Sequence, residues 1–169
     1  RRQRQMCIRD SAQTPRDRAT ELKEQAQSSL NQKDYIKARY LFKKAYEAFA
    51  TRENYPQAIE SGVQANALYV RENFYKEGFE LCRDMDQLIW AGEQNQKKVF
   101  YDLRFLVNKE RLQMYTALKN PAQAKTQLNK LEETANLAKN DSLTEVLLYT
   151  KANYYYTFCL LYTSDAADE

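Results

Sequence analysis

Histidine is absent from the 169 residues, and glycine, proline and cysteine occur three times each. Each shortage closes a route. Without histidine, a nucleophile–base pair has to be assembled from Cys, Lys, Asp, Glu or Tyr. Three glycines leave no room for a glycine-rich loop that cradles phosphate. No apolar run approaches the ~18–20 residues that a membrane span needs. Charge of one sign is also missing. The chain has 26 Lys and Arg against 23 Asp and Glu, interspersed, for a net charge of +3. That is a mixed surface, not a nucleic-acid footprint. What is abundant is Ala, Leu, Glu, Gln, Lys and Arg, together with thirteen tyrosines. With so little Gly and Pro, this composition favours helix.

The two ends stand apart from the rest. Residues 1–11 read RRQRQMCIRDS and residues 159–169 read CLLYTSDAADE. One nucleotide string can encode both. A permitted codon choice for the last stretch, extended by two bases in front, gives Arg1 to Asp10 on its opposite strand and opens the codon of Ser11. The string resembles the transposase adapter used to prepare sequencing libraries. The resemblance implies that 1–11 and 159–169 are not native, and that the native reading covers residues 12–158. A basic arm and an acidic tail are the alternatives that the residues themselves leave open. Between the ends only Cys82 remains, and one cysteine makes neither an internal disulfide nor a zinc site. It does not tell a reducing from an oxidising compartment.

Capping signals divide the middle into seven helices, at about 15–31, 34–52, 56–72, 74–92, 96–118, 121–139 and 142–158. Thr14 is read as an N-cap, with Pro15 at the first helical position and Asp17 in the first turn. Asp34, Asn73 and Asn120 are the next caps, and Pro56 and Pro121 open their helices. Gly92 and Asn95 mark a break. Ser142 and Glu145 have the spacing of a capping box. Connections this short make the helices antiparallel neighbours. The fold class expected is therefore all-α.

Three segments repeat a pattern: DYIKARYLFKKAYEAF, NFYKEGFELCRDMDQL and NPAQAKTQLNKLEETA. Each opens with a turn. Each then places a small residue, a larger one four later, and an apolar or small one three after that. The triples are Ala38-Phe42-Ala45, Gly78-Cys82-Met85 and Ala124-Leu128-Leu131, and offsets of four and three keep each triple on one helix face. The small residue admits a partner helix, and the larger ones fill the space beside it. This spacing resembles the second helix of the tetratricopeptide repeat, most closely in the first segment. The period is longer than the standard repeat of about 34 residues. The resemblance implies a solenoid of three and a half helical hairpins, with helix 142–158 opening a fourth. Degenerate, tyrosine-rich repeats of this kind look like the input regions of bacterial sensor histidine kinases and of repeat-bearing transcription regulators.

No enzyme signature, cofactor motif or metal-ligand set is present. Cys82 falls on the buried face of its repeat, where a lone cysteine acts as a small apolar filler. Asp84 and Asp86, two apart on a helix, point to different sides. The resemblance implies that first helices line a concave face. By register the candidate groove residues are Lys23, Gln27 and Asn31; Val63, Ala67 and Arg71; Lys109, Gln113 and Thr116; and Tyr149, Asn153 and Tyr156. The Lys–Gln pair at i, i+4 occurs twice and suits the carboxylate or backbone of an extended peptide. The partner expected is a protein or peptide, with no nucleic acid and no membrane span in this segment. Leu148, Tyr155 and Phe158 are expected to expose an apolar face that self-associates.

Overall fold

The computed structural model describes the backbone of residues 17–165 and the side chains of residues 17–159. Seven helices follow one another: α1 Arg18–Asn31, α2 Tyr35–Thr51, α3 Tyr55–Arg71, α4 Tyr75–Gln96, α5 Tyr101–Ala117, α6 Pro121–Ala138 and α7 Asp141–Asp165. There is no strand among the described residues. The chain is all-α, in the number and order of helices that its caps imply.

The connectors are built alike. At the end of α1, the Asp34 N–H donates to the Ser29 carbonyl and the Lys33 N–H to the Leu30 carbonyl, both at 2.9 Å. This pair of bonds is the Schellman closure, which places the residue after the C-cap in the left-handed region. Lys33 is there, at φ 62°. The same pair closes α2 (Asn54 to Phe49, Glu53 to Ala50), α3 (Phe74 to Tyr69, Asn73 to Val70) and α5 (Asn120 to Tyr115, Lys119 to Thr116). Glu53, Asn73 and Lys119 have φ of 57°, 63° and 52°. The residue completing each closure is also the N-cap of the next helix. Asp34, Asn54 and Asn120 accept from the N–H of Lys37, Gln57 and Gln123. One short turn thus satisfies both helix ends.

Four capping expectations change. Thr14 and Pro15 lie outside the described residues, and Asp17 is itself the N-cap of α1, accepting from the Ala19 N–H. Asn73 is the left-handed residue of its turn, so the cap position falls to Phe74, which has no side-chain cap bond. Asn140, not Ser142, closes the start of α7: its Oδ1 accepts the Ser142 N–H at 3.0 Å. Gly92 does not break α4, which runs on to Gln96.

Consecutive helices pack on one another, and α3 also touches α5, as α5 touches α7. Odd-numbered helices therefore meet one another as well: α1 and α3 through Lys23, α3 with α5, and α5 with α7. Ala38, Phe42, Ala45, Gly78, Cys82, Met85, Ala124, Leu128 and Leu131 are all buried. The core falls into two clusters. Leu103, Val107 and Met114 of α5 join the apolar residues of α1 to α4. Phe105 and Leu112, also of α5, join those of α6 and α7.

Gly92 explains why α4 continues where a break was expected. A Cβ there would lie 2.8 Å from both a Phe100 and a Tyr55 ring carbon. Gly62 and Gly78 are tight too, but mainly against the flexible ends of Met85 and Met114. Alanine is ordinarily better than glycine inside a helix by about 1 kcal/mol. Gly92→Ala is nevertheless expected to lower stability by about 1–3 kcal/mol, because two packed rings have to move. A urea midpoint that rises instead would show that the rings give way. At the turns the sign reverses. Lys33→Gly, Glu53→Gly and Lys119→Gly should each raise stability by about 0.5–1 kcal/mol, by relieving the left-handed cost. Unchanged midpoints in all three would contradict the closure described.

Candidate functional site

The first and last thirds of the chain are related by a displacement of 86 residues (23 to 109, 38 to 124). Packing follows the same displacement. The Arg39 guanidinium of α2 lies 4.9 Å from the ring centroid of Tyr69 in α3. At the corresponding place, Lys125 of α6 lies 5.4 Å from the ring of Tyr155 in α7. The displacement thus preserves a cation over a ring between the second and third helices of each segment.

The two segments differ where their odd helices meet. Lys23 of α1 reaches across to α3, donating to Gln57 Oε1 at 2.8 Å and pairing with Glu60 at 2.8 Å. Its counterpart Lys109 has no such partner, because α7 carries Leu143 and Val146 at the positions corresponding to Gln57 and Glu60. A cavity of about 360 Å3 opens there instead. Lys109, Gln113 and Thr116 line it from α5, and Tyr149, Asn153 and Thr157 from α7, over Leu112, Ala117 and Tyr154. Lys109 makes no ion pair with any described residue. One ammonium, two amides and several hydroxyls therefore ring a mainly apolar cleft. Such a cleft can hold a chain that is apolar in body and polar at chosen points.

The remaining groove candidates do not join this cleft. Gln27 is exposed and donates to Asn31 Oδ1 at 3.2 Å. Arg71 stacks on Tyr35, 3.9 Å from its centroid. Val63 is half-buried, Ala67 is exposed, and Tyr156 stands 70 % exposed outside the cavity lining. Phe158 corrects the expected association face. It is 5 % exposed and packs on Tyr154, with ring centroids 4.8 Å apart. Leu148 and Tyr155 remain exposed, at 63 % and 46 %.

Cys82 is fully buried, and its thiol is pushed up to about 12, by burial first of all. Asp84 is solvated, whereas Asp86 pairs with Arg111, which also donates to the Cys82 carbonyl at 3.0 Å.

Two buried carboxylates escaped the sequence reading. Glu93 accepts from Arg104 Nε at 2.7 Å and from the Phe100 N–H at 2.8 Å, and its other oxygen takes the Arg104 fork. Burial alone would raise its pKa. The bonds from Arg104 and Phe100 outweigh this and hold it below the usual carboxylate range. Glu110 has no such support. It is 3 % exposed and accepts only from Asn66 Nδ2 of α3, at 3.0 Å, while Asn66 Oδ1 stays unpartnered. Burial pushes the Glu110 pKa up, against smaller opposing effects of Asn66 and Lys109. Val107, Glu110 and Met114 fall at helical spacing, so the inward position was legible and only the residue type hid it.

No protein-family model, curated protein or solved structure matches the chain. No helix among the described residues is long and apolar enough to cross a membrane.

A raised pKa in the folded state means that Glu110 favours folding at low pH, and that this contribution is lost as pH rises through the folded value. Glu110→Gln keeps an acceptor for Asn66 and removes the charge. It should raise the urea midpoint at pH 7, with the advantage shrinking as pH falls toward 4. An advantage constant across that range would show that Glu110 titrates as it does in the unfolded chain.

Proposed function

We propose that the chain is a tetratricopeptide-like interaction or sensory-input module, and that it takes an extended segment of a partner protein across the α5–α7 cleft. The reading rests on one observation. Five of the groove candidates, Lys109, Gln113, Thr116, Tyr149 and Asn153, converge on a single cavity. The contacts of α3 with α5 and of α5 with α7 support a solenoid, since stacked repeats meet through such neighbours. The buried triples fit the same reading. In the tetratricopeptide family the layer of first helices is the binding face, and the cleft opens between two such helices.

Recognition is by binding and not by turnover in this reading. The polar groups of the cleft are hydrogen-bonding groups and a cation, suited to fixing a backbone and one charge. The input role agrees with the likeness to regulator and kinase input regions, where such an array passes ligand occupancy to another domain.

The test is selection of random displayed peptides on the purified protein, followed by fluorescence anisotropy on the winners. Lys109→Glu and Asn153→Ala should each weaken binding at least about tenfold, the loss of one good polar contact, with far-UV circular dichroism unchanged. Lys23→Glu should leave binding intact and lower the urea midpoint, because it sets a new acid beside Glu60. Winners indifferent to both Lys109→Glu and Asn153→Ala would place recognition elsewhere and sink the proposal.

A further inference from the structure

We infer that the α5–α7 cleft selects a partner segment that presents a glutamate side chain to Lys109, in the place that Glu60 takes on Lys23. This inference rests on the proposed interaction role and names the chemistry of the partner.

The molecule supplies its own reference. In the first third, a lysine on an odd-numbered helix meets a glutamate and a glutamine three residues apart on the next odd helix, both at 2.8 Å. In the last third the lysine is kept at the corresponding position, and its i+4 glutamine is kept as well. The acid has gone. By the same displacement of 86 residues Val146 corresponds to Glu60, and it is 38 % exposed. Lys23 is thus satisfied from within the chain. Lys109 has a 360 Å3 opening beside it.

A cation facing a mainly apolar cleft favours a carboxylate with apolar neighbours. The carboxylate neutralises the ammonium through a charge-assisted bond. The neighbours cover Leu112, Ala117 and Tyr154. Gln113 and Asn153 then take the donors and acceptors of the partner backbone, as amides do. A side chain fits better than a chain terminus, because the bond it replaces is made by a side chain projecting from a continuous helix. Position along the cleft supports this. Lys109 precedes Leu112, Gln113 and Thr116 on α5, so it stands at one end of the lining. The acid anchors at that end, and the apolar part runs along the cleft from it.

The test uses three blocked or unblocked peptides, Ac-Leu-Glu-Leu-NH2, Ac-Leu-Gln-Leu-NH2 and Ac-Leu-Leu-Leu-OH, titrated into the full chain. Binding is followed by the NMR shifts of the lysine side chains and of the tyrosine rings. The glutamate peptide should give saturable shifts at Lys109 and Tyr149, and bind roughly tenfold tighter than the glutamine peptide. Val146→Glu should abolish its binding, by giving Lys109 the internal partner that Lys23 already has. Lys109→Met should do the same. Circular dichroism and the urea midpoint check that both variants fold. If the glutamine peptide binds as well as the glutamate one, or if Val146→Glu binds unchanged, the inference is overturned. If the free-acid peptide binds as tightly as the glutamate peptide, the cleft reads a chain end and the assignment to a side chain is overturned. Displayed peptides that depend on Asn153 but carry no acid would remove this inference and leave the interaction role standing.

Discussion

The rest of the structure depends on α5 burying two faces at once. Leu103, Val107 and Met114 close the cluster of the first four helices, while Phe105 and Leu112 open the cluster of the last two. A helix with one apolar stripe could end an array but not continue it. With two stripes it becomes a shared wall, and little of its circumference is left for water. A polar residue buried on such a helix or against it has to be answered. Glu110 is answered by Asn66 from α3. Glu93, buried on α4, is answered by Arg104 of α5 and by the free N–H of Phe100 at the start of α5. Both contacts bind α5 to the helices before it. The contacts of α5 with α6 and α7 are mainly apolar and so less particular about register.

That asymmetry bears on the site. A cleft forms where two odd helices meet without a polar bond to draw them together. Lys23 with Gln57 and Glu60 supplies such a bond between α1 and α3. Asn66 with Glu110 supplies one between α3 and α5. Between α5 and α7 the residues at hand are Lys109, Gln113, Tyr149 and Asn153, which hold no opposite charge among them. The opening lies at the one of these three junctions for which no polar bond between the odd helices is described.

How much of this could be read from the sequence follows from the range of each interaction. The helices and their turns were legible, because capping and Schellman closure are decided within a few residues. The errors at Asn73 and Ser142 came from assigning the cap one position early or two late, in turns that also needed a left-handed residue. The buried triples were legible because they recur at offsets of four and three. Gly92 was misread as a breaker because its reason lies in Tyr55 and Phe100, one of them far away in sequence. Lys23 was placed on a groove because nothing local shows that Glu60 will meet it. Five of the twelve groove candidates in the register do line one cavity, and the others are spent on contacts or left outside it. Register predicts which face a residue takes. It does not predict whether a partner arrives from the next hairpin.

Arg39 with Tyr69 and Lys125 with Tyr155 preserve a cation over a ring across the displacement, with the identity of the cation changed. Lys23 and Lys109 preserve a cation with its partner removed. The first pair lies between an even and an odd helix inside one hairpin stack, where losing either member would loosen a contact that the fold needs. The second lies between odd-numbered helices, where the cleft opens without unpacking the core: Leu147 and Phe158 stay buried beside it. Lys109 is half-buried at the edge of the cleft, and it makes no ion pair with any described residue. The arrangement at Lys23 shows the bond that this chemistry makes when a glutamate is within reach, and the proposed carboxylate partner of Lys109 is argued from that bond.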